Sequence, residues 1–91
     1  MTTRTVTIVN ALGLHARAAA KFVQMASGFE SRISVSREDR RVDGKSIMGL
    51  LLLTAAQGSV ITISTDGPDE AEAAEALCAL ITGGFDEASC A

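Results

Sequence analysis

The chain has 91 residues, 47% apolar and 21% charged, which fits one domain around one core. Eight Lys and Arg against eleven Asp and Glu give a net charge of −3, and there is no Trp or Tyr. That balance argues against binding a nucleic-acid backbone or stacking on bases. No apolar run approaches the ~20 residues of a membrane span, and the N-terminus has no basic-then-apolar leader pattern. A soluble cytoplasmic protein without membrane association is the expectation.

Thr5-Val6-Thr7-Ile8-Val9 alternates polar and apolar residues, the pattern of a half-buried strand. Asn10 to Gly13 is a turn-rich break. From Ala16 to Ser27, Ala19, Phe22, Val23 and Ala26 fall at helical spacing, and Gly28 offers a C-cap. Ile33 and Val35 alternate with polar neighbours and predict a second strand. A short third strand around Arg40 to Val42 ends at the turn dipeptide Asp43-Gly44.

The apolar run Ile47 to Leu53 fits a short helix or a buried strand, and Ser46 as N-cap favours the helix. Val60, Ile61 and Ile63 predict a fourth strand. Asp66-Gly67-Pro68 starts the last helix, with Pro in its first turn and a buried stripe of Ala71, Ala74, Leu77, Cys78 and Ile81 before Gly83-Gly84. The order βαββαβα predicts an α+β fold: one antiparallel sheet with three helices on one face. Thr5, Thr7, Ser34 and Ser36 would face water. Residues 1–91 read as a single domain, with 86–91 a flexible tail.

Charge is unevenly placed. The first 45 residues hold eight basic and four acidic side chains, and the rest hold seven acidic and no basic ones. A weakly basic face near the working site would attract acidic partners; two ordinary solvated faces are the plainer reading. Cys78 on the last helix and Cys90 in the tail are too few for a disulfide framework and read as free thiols.

His15 is the only histidine, and it stands immediately before the first helix, with Arg17 in that helix's first turn. A neutral imidazole offers a nucleophilic nitrogen near pH 7. A helix start presents unsatisfied N–H groups and a partial positive charge, which hold phosphate oxygens. Arg17 adds a planar cationic donor fork. Phosphoryl transfer needs mainly positioning and charge stabilisation, and this group of residues offers both. On those features alone a surface or capping histidine remains the plainer alternative. A metal site has no support, because no Cys or second His lies at ligand spacing.

Gly13-Leu14-His15-Ala16-Arg17 resembles the active-site signature of HPr, the histidine phosphocarrier family of the phosphotransferase system. Gly44-Lys45-Ser46-Ile47-Met48-Gly49 resembles the family's second signature, at the usual separation. The resemblance covers roughly residues 3 to 85 and implies an open-faced β-sandwich. It implies that His15 accepts a phosphoryl group on Nδ1 from phosphorylated Enzyme I and passes it to a histidine of an EIIA-type protein. Arg17 would stabilise the phosphate, and no cofactor is implied. Such a protein is a carrier, changed by each transfer, and not an enzyme with turnover of its own. Many members have Pro after the Arg, where this chain has Ala18.

Ser46 would be an N-cap and, by the resemblance, a regulatory phosphorylation site for an HPr kinase/phosphorylase. Not every position of Ile47–Leu53 can face inward. Ile47 and Met48 beside the cap are the expected exposed ones, forming a docking surface with Ala20 and Gln24. Transient partners favour a monomer. Thr82-Gly83-Gly84-Phe85-Asp86-Glu87 looks like the nitrogen-related branch, NPr, whose relay serves regulation and not sugar uptake. A binding module without phosphoryl chemistry is the other alternative, but it would need neither His15 nor Arg17.

Overall fold

The computed structural model describes residues 1–86. In chain order it contains β1 (Thr2–Thr7), α1 (Ala16–Ala26), β2 (Arg32–Arg37), β3 (Arg40–Asp43), α2 (Ile47–Leu52), β4 (Val60–Asp66), α3 (Glu70–Thr82) and a 3-10 turn, Gly84–Asp86. The strands form one sheet in the order β1-β4-β2-β3, antiparallel at every pairing. β4 runs through the middle, matched from Thr2↔Thr65 to Thr7↔Val60 on one side and from Arg32↔Asp66 to Ser36↔Thr62 on the other.

Alternation along the strands sorts the side chains between two faces. Ile33, Val35, Ile61, Ile63 and Thr65 are all buried on one of them. Ser34, Ser36, Thr62 and Ser64 alternate with these, in line with the exposed Thr3, Thr5 and Thr7 of β1. The apolar face is covered by Ala18, Ala19, Phe22 and Ala26 of α1, Leu50 of α2, and Ala73, Ala74, Leu77, Cys78 and Ile81 of α3. This is the open-faced β-sandwich expected from the sequence. Small residues let the helices lie close to the sheet, and burying Phe22 contributes roughly 2–3 kcal/mol.

Several boundaries differ from the sequence reading. β1 begins at Thr2, because β4 pairs it that far. The last position of α1 is capped by Ser27, with Gly28 outside the left-handed region. Pro68 lies in the turn before α3 and not in its first turn. The N-cap is Asp69, whose carboxylate is engaged by the Glu30 and Ser31 amides and the Ser31 hydroxyl instead of capping the helix. Ala74, Leu77, Cys78 and Ile81 form the buried stripe as expected, joined by Ala73, while Ala71 in the first turn is exposed. The chain then turns back on itself at Phe85, which is fully buried with φ 55°, and its carbonyl accepts a 2.7 Å hydrogen bond from Lys21 Nζ. Apart from the backbone of Asp86, the stretch read as a tail, with Cys90, lies outside the described residues.

Candidate functional site

The connection from β1 to α1 is shaped by hydrogen bonds that its own residues supply. Ile8 is tied at both ends, its N–H to Ser59 O at 2.8 Å and its carbonyl to Gly58 N–H at 2.8 Å. Asn10 and Gly13 then close a turn, with Gly13 N–H donating to Asn10 O at 3.1 Å. Gly13 has φ +68°, and a Cβ there would sit 2.6 Å from Ala55 O and 2.9 Å from Ala56 Cα. Only glycine meets both demands. Leu14 N–H bonds that same Ala55 carbonyl at 2.8 Å. Thr54, left-handed at φ 49°, ends the α2 region just before it.

His15 follows as the N-cap of α1, with extended backbone (φ −86°, ψ −177°). Its carbonyl accepts the first α-helical bond, from Ala19 N–H at 2.8 Å. Its Nδ1 accepts from Arg17 N–H at 3.3 Å. In this geometry Nδ1 carries the lone pair, aimed at the positive end of the helix. His15 is half-buried, and Arg17, whose backbone N–H meets the ring, is exposed. Arg17 and His15 are thus brought together at one helix start.

Ser46 is the N-cap of α2, and its Oγ accepts from Gly49 N–H at 3.1 Å. The opposite end of this six-residue helix is held by two cations of the β2–β3 hairpin: Arg37 Nη1 donates to Leu53 O at 3.2 Å and Arg40 Nη1 to Leu52 O at 2.6 Å. Gly49 permits close packing on β3, since a Cβ there would lie 3.2 Å from Val42 Cβ. Ile47 and Met48 are 40% and 70% exposed, as expected, and Gln24 is exposed while Ala20 is half-buried. α1 and α2 pack against each other.

The sequence reading missed two exposed leucines. Leu52 is 60% exposed, and Leu12, three residues before His15, is 71% exposed. Helical geometry could have flagged Leu52, which lies four residues after Met48 and hence on its face. Nothing in the local pattern marks Leu12.

The perturbed titrating groups lie elsewhere. Hydrogen bonds from the Ser31 hydroxyl and the Glu30 amide hold the Asp69 carboxyl below its usual range. Bonds from the chain's N-terminal ammonium and Thr2 do the same for Glu70. Burial pushes the Cys78 thiol up. A depression of about 660 Å³ on the sheet, lined in part by Arg32, Ser34, Arg41, Asp43 and Asp66, does not include His15. Among the described residues no cluster of His, Cys, Asp and Glu could hold a metal ion, and no helix is long and apolar enough to cross a membrane.

The fold and site define a class: a small open-faced sandwich that presents one imidazole at a helix start. Comparison with known proteins makes that class particular. The family model described as "PTS HPr component phosphorylation site" matches residues 2–83. The chain is 55% identical over 87 residues to the phosphocarrier protein HPr of Cupriavidus necator, covering 96% of this chain and 98% of that one. It is 44% identical over 86 residues to the phosphocarrier protein NPr of Shewanella violacea, covering 94% of each. The crystal structure of an HPr from Thermoanaerobacter tengcongensis superposes with a TM-score of 0.92 at 48% identity, over 96% of this chain and 98% of that one. The chain therefore belongs to the HPr family of phosphotransferase-system phosphocarriers.

Proposed function

We propose that this phosphocarrier takes a phosphoryl group from phosphorylated Enzyme I onto Nδ1 of His15 and delivers it to a histidine of an EIIA-type protein. The observation that carries this reading is the bond from Arg17 N–H to Nδ1. It implies a deprotonated Nδ1, so the nitrogen attacks phosphorus with its own lone pair and no base is required. The donor's P–N bond breaks as the new one forms, and the donor imidazole keeps that electron pair. Arg17 N–H is then free to turn to a phosphoryl oxygen, and the exposed guanidinium adds a cationic contact. Each transfer leaves the chain chemically changed, and it stays so until the next partner takes the phosphate. It is a carrier and not an enzyme.

Exposed Ile47, Met48 and Leu52, with Gln24 and Ala20 on α1, supply a docking face used in turn by each partner. A shared transient face suits a monomer in the cytoplasm. Ser46 caps α2 with its hydroxyl, and we assign it as the target of an HPr kinase/phosphorylase. A phosphate there agrees with the helix dipole, so it would leave α2 folded and place about −1.5 to −2 charges on the docking face. Higher identity to proteins named HPr than to the NPr relative supports the sugar-transport branch.

The test is transfer of label from phosphoenolpyruvate through Enzyme I. Acid-labile label should appear on the wild type and vanish in His15→Ala. Label that survives the substitution would overturn the assignment.

A further inference from the structure

We propose that Asn10 is a positioning residue for the carrier histidine, acting through the peptide of Gly13; the inference rests on the phosphocarrier reading of His15. Asn10 is 6% exposed, in the middle of a loop where polar side chains normally face water. A buried amide costs stability unless it is hydrogen-bonded, and here the Nδ2 group donates to Gly13 O at 2.8 Å. Gly13 N–H returns to Asn10 O at 3.1 Å, so side chain and backbone clamp the same four residues from two sides. The Gly13 carbonyl is also the acceptor for His15 N–H at 3.0 Å.

This chain of bonds has a direction. The Asn10 side chain fixes the plane of the Gly13 peptide. That plane fixes where His15 N–H points, and the backbone of His15 sets where its ring meets Arg17 N–H. A site carried on a loop gains precision only when the loop is held by bonds of this kind. The clamp needs a side-chain donor at this position. Alanine leaves Gly13 O without its side-chain donor. Aspartate sets a carboxylate, an acceptor only, against a carbonyl.

The experiment compares wild type, Asn10→Ala and Asn10→Ser by two readouts. The first is the NMR shift of the Arg17 amide proton as the His15 ring is titrated. In the wild type this proton should respond strongly, because protonating Nδ1 removes its acceptor; in Asn10→Ala the response should shrink by at least half. The second is phosphoryl acceptance from Enzyme I. Asn10→Ala should lower kcat about tenfold with KM unchanged, since misplacing a reacting group by ~1 Å costs up to 100-fold and α1 and α2 still dock. Asn10→Ser keeps a weaker local donor and should fall between, and it carries the test if Asn10→Ala does not fold. Wild-type behaviour of a folded Asn10→Ala, or a loss confined to KM, would overturn the proposal. If the wild type itself takes no phosphoryl group, the reading of His15 fails, while the amide response still decides the role of Asn10.

Discussion

Replacing Gly13 by Ala tests whether the histidine turn is set by backbone geometry. Two costs combine at this position. Holding a non-glycine residue in the left-handed region costs about 1–2 kcal/mol. The new Cβ would also lie 2.6 Å from Ala55 O and 2.9 Å from Ala56 Cα, both backbone atoms that cannot rotate away. Forcing extra volume into such a contact typically costs a further ~1–3 kcal/mol. Ala55 O is the acceptor for Leu14 N–H, so the displacement would be felt next to His15. Gly58 is the control, with φ +90° and nothing within 4 Å of a built Cβ. Gly58→Ala should therefore show the conformational cost alone. Urea unfolding should place Gly13→Ala about 2–5 kcal/mol below wild type and Gly58→Ala about 1–2 kcal/mol below it. For a domain of this size the gap between them corresponds to several degrees in Tm, at roughly 4–8 °C per kcal/mol. Equal losses, within ~0.5 kcal/mol, would refute the argument that the Ala55–Ala56 backbone excludes a side chain at this position.

The Asp69 carboxyl, depressed by its bonds to Ser31 and Glu30, stabilises the fold above the unfolded-state value near ~3.9 and stops doing so as pH falls through its lower folded value. The wild-type urea midpoint should thus fall more steeply below about pH 4 than that of Asp69→Asn, and parallel pH curves would count against the role. Burial raises the Cys78 thiol further above its ordinary range and shields it from reagent, so in a Cys90→Ser background alkylation should await unfolding; rapid reaction of the native protein would contradict this. Ser46→Ala should cost about 1 kcal/mol through loss of the α2 cap, read by thermal unfolding, and Ser46→Asp should recover most of it. No stability difference between Ser46→Ala and wild type would mean that the cap is not needed.

Elements with a strong period were legible in the sequence. Ile33/Val35 and Ile61/Ile63 alternate cleanly, and the sheet buries all four. Phe22 and Ala26 mark the inner face of α1 for the same reason. The start of α3 was set too early because Pro68 suits a first helical turn, and only the fold reveals that the helix begins after Asp69, whose carboxylate Ser31 and Glu30 claim. Phe85 was missed because two glycines precede it, and its burial depends on α1 lying opposite. His15 and Arg17 stood out as a chemically apt pair. Asn10 did not, since a turn residue by composition becomes a clamp only when the loop folds over it. Local pattern thus marks the histidine at the helix start, while the bonds that hold its loop depend on contacts that sequence spacing does not encode.

The same logic bears on the docking role proposed for α2. A helix of six residues is far below the length at which a helix persists alone in water. Here both ends are satisfied from outside the helix, by the Ser46 hydroxyl at one and by the Arg37 and Arg40 guanidinium groups at the other. Cations suit a helix C-terminus, so charge and hydrogen bonding reinforce each other. Leu50 anchors the inner side in the core, and Gly49 lets the helix settle against Val42. With its backbone pinned in this way, the helix can leave Ile47, Met48 and Leu52 uncovered without losing its shape. Their apolar surface is then held in one arrangement before any partner arrives, which lowers the ordering cost of each encounter. The docking role proposed for this face would gain from such a surface, because preorganisation adds affinity without requiring a larger interface.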